Sequence, residues 1–597
     1  MKAQIYVNNR DYTDWEFKDV QSGNTIKLDD NHVLKSIHPL SSKLFSRDIL
    51  SIDENGEMTV SKSILKNTDT VAGVLILEGN KTYGRANNKK LLYKCIPDDR
   101  YLPAFLIQYE LKIGFSKNIL NKYVIFKFQH WEDKHPRGTL LNALGDVNNL
   151  DVFYEYQLYC KSLCISLTEF TKNTKKAIGK SSHEMCIEQI LQNPDYNIQD
   201  RRCRRIITID PPNSVDFDDG FGIEARFDND QNQIGWTISI YIANVFVWLE
   251  TLDLWDTFSH RVSTIYLPDR KRPMLPTILS DTLCSLQEKQ SRFALAMDID
   301  VDMVGTLVVQ PTVYKNVLIN VHKNYAYEDR KLVYNEPIYQ KMYDIACLMD
   351  KDIRNSHDMV AFWMMYMNAI TGVNMINRKI GVFRSVIIRN NESRDDVNKV
   401  ELSHDAKRAI KNWNNTSGQY IHYDDDIDLS HELINMTTMT IPLLPNDSKS
   451  FQPYIHITSP IRRLVDLLNQ IMLFDNYGIV KTVSQSAYRF LNEWISKLDY
   501  LNTSMRSIKK IQSDCSLLYN CTTKPVYLDT THKGVVFDKM IRNNGSFHYT
   551  VYLEGLRIMS RITTHFELQE YSINQFKLFV FENEEKMKKK IKLQLIQ

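Results

Sequence analysis

Four aspartates, Asp210, Asp216, Asp218 and Asp219, fall within ten residues of one another around the Pro-Pro turn that follows Asp210. Carboxylates this close repel one another and raise one another's pKa unless a cation compensates them. The crowding therefore indicates a metal site. Ligands that are all oxygen favour Mg²⁺, Mn²⁺ or Ca²⁺ over zinc.

Two plainer explanations of the aspartates remain beside the catalytic one. An EF-hand calcium loop that began at Asp216 would place Gly220 at its fifth position, where Asp or Asn is needed. The residues after Gly220 also have the pattern of a strand and not of a helix. The spacing thus disfavours a calcium loop, and an acidic surface turn is the other alternative.

A second segment suited to phosphate chemistry contains Ser459, Arg462 and Arg463. Its pattern predicts that Thr458 or Ser459 caps a helix, that Pro460 lies in the first turn, and that the helix carries both arginines. Backbone N–H groups at a helix start and a guanidinium fork both suit a phosphoryl group. A Ser-Pro helix start with two arginines is common, so this segment alone does not identify an activity.

Together the two segments resemble the signature motifs of the RNB family, the exoribonucleases of the RNase II and exosome-subunit type. Residues 263–286 resemble the family's third motif nearly residue for residue, and residues 364–368 resemble its helix motif. The order and separation of the four motifs agree with the family as well. The resemblance covers almost the whole chain.

The resemblance implies a multidomain α+β fold in which a central RNB catalytic domain is flanked by OB-type β-barrels. Short strand-like alternations at both ends of the chain and a mixed pattern of strands and long helices between them agree with this fold. We expect two cold-shock-like barrels at 1–69 and 70–150, a helical linker at 151–200, the catalytic domain at 201–523, and a C-terminal RNA-binding OB barrel at 524–597. A polar stretch at 171–182 is interpreted as linker, and residues 389–415 as an exposed helical insert or a long loop.

The resemblance also implies the roles of the site residues. Asp210, Asp216, Asp218 and Asp219 correspond to the metal-binding carboxylates, and Asp216, Asp218 and Arg462 to the catalytic residues. The implied reaction is two-metal hydrolysis of single-stranded RNA from its 3′ end, with Mg²⁺ as cofactor and Mn²⁺ as its alternative. Nucleoside 5′-monophosphates would be released one at a time.

The RNA contacts that the resemblance implies involve Tyr266, Ser459, Arg462 and Arg463. Tyr266 matches an aromatic residue that stacks on a terminal base, a contact worth about 1–3 kcal/mol regardless of sequence. A tyrosine buried at the end of a strand is the alternative for this position.

The chain departs from the family pattern at two places in the catalytic part. Asn244 and Phe246 stand where the family commonly has an acidic and a small residue. No aromatic residue follows the segment 383–389 where bacterial enzymes place a second stacking ring. These departures leave processivity and final product length open.

Composition restricts the class of protein. The 74 Lys and Arg against 72 Asp and Glu leave a net charge of +2, so a nucleic-acid surface must be local, as at the basic runs 201–205, 270–272 and 586–592.

The 9 cysteines form no CxxC pair, which disfavours a zinc module and a secreted disulfide framework. The N-terminus lacks the apolar segment of a signal peptide, and no run of about eighteen apolar residues is found. We expect a cytoplasmic protein without a membrane partner, in the host cytoplasm if the chain is viral.

Three functions follow from these observations. The leading one is an active 3′-to-5′ exoribonuclease, a phosphodiester hydrolase. The alternatives are a catalytically weak RNA-binding protein with the same fold, and an exonuclease acting on single-stranded DNA or oligonucleotides. We expect a monomer whose partner is single-stranded RNA, with docking on a larger RNA-degrading assembly left open, and no separate endonuclease domain before the barrels.

Overall fold

The structure is a computed structural model of the chain. It describes residues 2–28, 33–53, 57–86, 89–111, 119–179, 183–303, 312–385, 401–416, 418–423, 453–542, 545–583 and 587–596. The chain divides into two compact units. The first unit comprises Met1–Cys164, Leu267–Arg270 and Ser507–Gln597, and the second comprises Ile165–Tyr266 and Lys271–Arg506.

The first unit begins with an antiparallel four-stranded sheet in the order β2-β1-β3-β4. Its strands are β1 (Lys2–Val7), β2 (Trp15–Asp19), β3 (Ile49–Ile52) and β4 (Met58–Lys62). In β1 the apolar residues Ala3, Ile5 and Val7 are buried and alternate with more exposed ones. This period of two is the pattern of a sheet with one face on a core.

A closed five-stranded barrel in the order β5-β6-β7-β9-β8 follows. Its strands are β5 (Val71–Leu75), β6 (Leu92–Pro97), β7 (Phe105–Gln108), β8 (Lys122–His130) and β9 (Arg137–Asp146). A Cβ added at Gly138 would lie 2.6 Å from the ring of Phe126, so only glycine fits there. One apolar core runs through the four-stranded sheet and the barrel, where Phe45 stacks on Phe105 with 6.1 Å between ring centroids.

The first unit ends in a five-stranded antiparallel sheet in the order β23-β22-β21-β24-β25. Its strands are β21 (Thr531–Ile541), β22 (Phe547–Leu553), β23 (Ile558–Thr564), β24 (Ile573–Asn583) and β25 (Lys588–Leu595). The buried Nζ of Lys588 donates a 2.8 Å hydrogen bond to Asp98, which ties this sheet to the barrel. The helix α1 (Leu150–Cys160) packs on the barrel as well, because Tyr156 stacks on Tyr123.

The second unit is built on a seven-stranded sheet in the order β10-β17-β16-β13-β12-β11-β18. Its strands are β10 (Gln199–Asp200), β11 (Ile207–Asp210), β12 (Asp219–Phe227), β13 (Gln233–Ala243), β16 (Ser291–Asp302), β17 (Val313–Asn320) and β18 (Lys323–Ala326). The pairs β10–β17 and β11–β18 are parallel and the others are antiparallel. A short hairpin pairs β14 (Ile265–Tyr266) with β15 (Lys271–Arg272). A separate antiparallel pair joins β19 (Val382–Ser385) to β20 (Gln419–His422), which lie far apart in the sequence.

The second unit also contains helices. They are α2 (Thr168–Ile178), α3 (His183–Gln192), α4 (Val245–Thr251), α5 (Arg330–Asn335), α6 (Pro337–Met349), α7 (Ser356–Asn377), α8 (His404–Thr416), α9 (Leu464–Asn476), α10 (Gln485–Ser496) and α11 (Leu498–Thr523), and α12 (Val526–Asp529) follows in the first unit. A π-helical segment, Ile278–Leu283, lies next to the hairpin of β14 and β15. Residues of α11 beyond Arg506 belong to the first unit.

The helix α7 is long and apolar enough, by length and composition, to cross a membrane. Of its most apolar 18-residue window, 67% is buried inside the protein, which is the behaviour of a core helix. Asn355 begins the helix by accepting a hydrogen bond from the N–H of Asp358. Its most deeply buried side chains include Trp363 and Tyr366.

The expected α+β class, with barrel-type sheets on either side of a mixed central part, is confirmed. The five domain boundaries stay predictions. Residues 171–178 of the stretch interpreted as linker belong to the helix α2, in which Thr174 is buried. The linker interpretation itself stays a prediction. The stretch 389–415 lies partly outside the described residues, and its described end is the helix α8.

Candidate active site

The four aspartates are placed by two neighbouring strands and the loop between them. Asp210 is the last residue of β11, and Asp219 is the first residue of β12, which pairs antiparallel with β11. The chain between them leaves the sheet at the Pro-Pro turn and returns beside its starting point. Asp210 and Asp219, which end one strand and begin the next, thus lie at the same end of the paired strands.

Ser285 fixes the loop that carries Asp216 and Asp218. Its Oγ donates a 2.7 Å hydrogen bond to the carbonyl of Val215 and accepts a 3.0 Å bond from the N–H of Phe217. The Ser285 side chain is fully buried. A single hydroxyl therefore closes the backbone on either side of Asp216.

Arg292 holds the backbone of Ser285 in place through a hydrogen bond. The buried guanidinium donates through Nε to the carbonyl of Ser285 at 2.8 Å and through Nη2 to Oε1 of Gln287 at 3.2 Å. Burial lowers the pKa of Arg292 to about 10. Neither Ser285 nor Arg292 was predicted from the sequence, although Ser285 lies in the stretch 263–286 that resembles a family motif.

Asp218 joins the two sequence motifs. Its carboxylate is buried, its Oδ1 accepts a 2.9 Å hydrogen bond from the N–H of Ile461, and its Oδ2 lies 3.1 Å from Nε of Arg462. Burial raises the pKa of Asp218 to about 7, against the opposing effects of Arg462 and of the Ile461 N–H. The structure thus brings Asp218 and Arg462 together, as the resemblance implied.

The prediction of a helix that starts at Ser459 is wrong. Residues 460–462 form a turn in which the carbonyl of Ser459 accepts hydrogen bonds from the N–H groups of Arg462 and Arg463, and α9 begins only at Leu464. The Oγ of Ser459 accepts from Nη2 of Arg462 at 3.0 Å and caps no helix. A helix does not start at Ser459 because the N–H of Ser459 donates to Asp466 of α9, and this contact holds the turn.

Asp466 is the residue behind this turn that sequence reasoning missed. It is fully buried, and its Oδ1 accepts both the N–H of Ser459 at 2.7 Å and Nη2 of Arg463 at 2.9 Å. Arg463 has its charge paired with Asp466, and the charges of Arg462 and Arg463 both act to lower the pKa of Asp219. The guanidinium of Arg462, whose side chain is 45% exposed, is the one that directly contacts an aspartate of the cluster, Asp218. An RNA-binding role for Ser459 and Arg463 stays a prediction.

Asp210 and Asp219 are two members of the cluster whose charged forms are destabilised by burial and which, among the described residues, lack a hydrogen-bond partner on one oxygen. Burial, and then the neighbouring Asp219, raise the pKa of Asp210 well above its usual value. Burial also raises the pKa of Asp219 to about 6. In the described part of the chain, Oδ2 of each of these two residues is buried and has no hydrogen-bond partner. A buried carboxylate oxygen without a partner is costly.

Asp216 lies at the outer side of the cluster between two donors. The hydroxyl of Tyr266 donates to its Oδ2 at 3.2 Å, and Nζ of Lys271 lies 3.1 Å from its Oδ1. Burial of the hydroxyl and the charge of Asp216 raise the pKa of Tyr266, so the tyrosine remains a donor. Tyr266 is 41% exposed, which excludes the alternative of a core tyrosine.

The donor chemistry of the cluster fits a divalent cation. All the side chains concerned offer carboxylate oxygen, the ligand that Mg²⁺ and Mn²⁺ prefer. The unpartnered oxygens of Asp210 and Asp219 would be satisfied, and the repulsion between the two residues relieved, by a positive charge. Among the described residues, no three acidic, histidine or cysteine side chains already lie close enough to enclose one ion together.

The departures from the family pattern lie inside the fold and not in the cluster. Asn244 is fully buried, caps α4 through the N–H of Val247, and donates from Nδ2 to Oδ1 of Asn316 at 2.9 Å. Phe246 is buried against Phe474, with 5.1 Å between ring centroids. The expected position of a second stacking ring lies partly outside the described residues.

Comparison with known proteins gives a family match for the part of the chain that holds the aspartates. Residues 198–361 match the family model described as the RNB domain. Exoribonuclease 2 of Mannheimia succiniciproducens is 34% identical over 137 residues, which are 22% of this chain and 21% of that protein. The chain thus matches about a fifth of the length of that curated relative.

Solved structures extend the likeness of fold to the whole chain. RNase R of Mycoplasma genitalium in complex with ribose-methylated single-stranded RNA has a TM-score of 0.65 at 14% identity, with 100% of both chains covered. Yeast Ssd1, described as a pseudonuclease, has a TM-score of 0.57 at 13% identity, covering 94% of this chain and 78% of that one. At such identities the likeness shows the fold alone.

Proposed function

We propose, from the match of residues 198–361 to the RNB domain, that the protein is a 3′-to-5′ exoribonuclease. It hydrolyses the terminal phosphodiester of single-stranded RNA and releases nucleoside 5′-monophosphates. We also propose that the protein acts in the cytoplasm, which is the host cytoplasm if the chain is viral. It acts there as a monomer or docked on a larger RNA-degrading assembly.

The observation that carries the proposal is the pairing of Asp218 with Arg462 at the edge of the aspartate cluster. Carboxylates that hold a cation and an arginine that faces the same point are the two parts that phosphodiester hydrolysis requires. An acidic surface turn would leave its aspartates in water, whereas Asp218 and Asp219 are 2% and 5% exposed. Their burial is costly in a protein that does not use them.

Asp210, Asp216, Asp218 and Asp219 would hold Mg²⁺, or Mn²⁺ as its alternative, in a two-metal arrangement. Bound there, the ions supply an activated water and neutralise charge on the phosphate. Arg462 keeps a half-exposed guanidinium through which it binds the phosphate and stabilises the charge that develops on it.

The remaining site residues position the RNA. The ring of Tyr266 stacks on a terminal base while its hydroxyl bonds Asp216, so the base and the cluster share one tyrosine. Ser459 and Arg463 contribute to RNA binding by holding the turn that presents Arg462.

Digestion of a 5′-labelled single-stranded RNA in the presence of Mg²⁺ tests this function. We expect a ladder that shortens from the 3′ end with the wild type and little or no shortening with Asp218→Asn. The matched control is Asp256→Asn, the same chemical change at an exposed aspartate that pairs with Arg489. Equal activity of the wild type and Asp218→Asn would refute the proposed site.

A second candidate function is RNA binding without catalysis. The likeness to the pseudonuclease Ssd1 favours it, as does the lack, among the described residues, of three ligands already gathered for one ion. It predicts intact RNA with tight, salt-sensitive binding by both the wild type and Asp218→Asn. Degradation of a matching DNA strand at an equal rate would instead identify a single-strand exonuclease that does not require the 2′-OH.

A further inference from the structure

Lys271 lies at the edge of the aspartate cluster, outside the set of residues given a role above. It is the cross-strand partner of Tyr266 in the hairpin of β14 and β15. Its Nζ lies 3.1 Å from Oδ1 of Asp216 and 2.9 Å from Oδ1 of Asp281. The side chains of Lys271, Asp216 and Asp281 are only 23%, 11% and 24% exposed, so water screens these charges weakly.

We propose that Lys271 is a positioning residue that sets the affinity of the aspartate cluster for divalent cations, and that Asp281 moderates its effect. The inference rests on the proposed function, since it concerns the cation that Asp216 would bind. In this arrangement the positive charge of Lys271 already lies beside Asp216. A cation that binds Asp216 must then share this carboxylate with the lysine.

The first step of the argument concerns the oxygens of Asp216. Oδ1 faces Lys271 and Oδ2 accepts from Tyr266, so both oxygens are engaged before any ion binds. Each carboxylate oxygen has a second lone pair, so a cation can bind with both partners in place. Because Nζ of Lys271 lies 3.1 Å from Oδ1 of Asp216, repulsion between the lysine and a cation held by Asp216 would lower the affinity.

The second step concerns Asp281, which the fold holds in place independently of the cluster. Ser280 Oγ donates to its Oδ1 at 2.6 Å, and Gln287 Nε2 donates to its backbone carbonyl at 2.6 Å. Asp281 therefore offers Lys271 a fixed second counter-charge. It offsets part of the lysine's charge, because Nζ lies 2.9 Å from its Oδ1.

The two residues should consequently act in opposite directions. Without the charge of Lys271, Asp216 is free to bind the ion, and affinity rises. Without the charge of Asp281, the lysine acts on Asp216 alone, and affinity falls. General disruption of the site would lower affinity in both cases.

Isothermal titration of the full-length protein with Mg²⁺, and with Mn²⁺ followed by the spin-resonance signal of the free ion, tests the inference without any measurement of activity. We expect Lys271→Met to lower the Kd for the ion about 3- to 10-fold and Asp281→Asn to raise it by a similar factor. Lys271→Arg, which keeps the charge, should stay near the wild type. Lys497→Met, which removes an exposed lysine paired with Glu493, is the matched control.

The outcomes separate this inference from the function on which it rests. If the wild type binds Mg²⁺ and Asp219→Asn abolishes binding, but Lys271→Met binds no more tightly than the wild type, only the inference about Lys271 is overturned. If the wild type binds neither ion, the proposed metal site fails as well. Melting temperatures measured in chelator establish that each variant is folded.

Discussion

Nε of Arg462 lies 3.1 Å from Oδ2 of Asp218, and the N–H of the preceding residue, Ile461, bonds the other oxygen of the same carboxylate. One buried aspartate thus receives a side chain and a backbone group from a turn more than two hundred residues away in the sequence. The carboxylate orients the arginine, whose side chain stays 45% exposed.

Removal of this arginine should impair turnover more than RNA binding. We expect Arg462→Met to lower kcat by about 10²–10³-fold, the usual cost of losing one donor to a developing anionic charge. Arg462→Lys should recover only part of this loss, because a lysine lacks the planar fork that contacts the carboxylate and the phosphate together. Single-turnover digestion at saturating RNA measures the effect, with the exposed Arg489→Met as the control. A loss confined to KM would contradict the role assigned to Arg462.

Stability of the metal-free protein should fall as the pH rises through the neutral range. The pKa of Asp218 is about 7 and that of Asp219 about 6, both above the value near 3.9 of an unfolded aspartate. At pH values between the unfolded and the folded pKa, the folded state binds more protons than the unfolded state. The contribution of the two aspartates to the free energy of unfolding is therefore fully present below about pH 4 and is lost as the pH rises through about 6 to 7.

Melting curves in chelator at pH 5.5 and pH 8, for the wild type and Asp219→Asn, measure this contribution. The asparagine variant should lose less stability between the two pH values. Mg²⁺ should raise the melting temperature of the wild type more at pH 8, where the carboxylates are ionised, than at pH 5.5. A larger gain at pH 5.5 would argue against a metal site.

Tyr266 should contribute separately through its ring and its hydroxyl. We expect Tyr266→Ala to weaken binding of single-stranded RNA by about 1–3 kcal/mol through lost stacking. Tyr266→Phe keeps the ring and loses the hydrogen bond to Asp216, so its RNA affinity in chelator should match the wild type. Fluorescence anisotropy with labelled RNA measures both variants, and Tyr334→Ala at a 74% exposed tyrosine is the control. Equal weakening by Phe and Ala would exclude stacking as the cause.

Ser285 should be required for activity although it does not belong to the aspartate cluster. Ser285→Ala removes the hydroxyl that joins the carbonyl of Val215 and the N–H of Phe217, and leaves both partly buried groups without that partner. We expect a loss of about 1–3 kcal/mol in the free energy of unfolding and a reduced kcat. Urea unfolding and RNA digestion check the two effects, with Ser496→Ala as the surface control. A fully active Ser285→Ala variant would show that the loop keeps its shape without the hydroxyl.

The amino-acid sequence by itself determined the features that are local in the chain. The aspartates are crowded because they fall within ten residues, and that crowding predicts a cation without any knowledge of the fold. The period of two in β1, and the apolar length of α7, likewise reflect contacts that each element makes with a core. Their pattern can be read wherever one face of an element is buried.

Tertiary structure decided what depends on groups distant in the sequence. The helix start expected at Ser459 became a turn because Asp466 binds the backbone of Ser459 and the side chain of Arg463, and propensity rules contain no term for such a partner. Arg292 had no signal of its own, since a lone basic residue is ordinarily a solvated one, and Lys271 was predicted only as part of the basic run 270–272. Only the fold puts the first beneath the loop at Ser285 and the second between Asp216 and Asp281, where burial removes the water that would otherwise screen their charges.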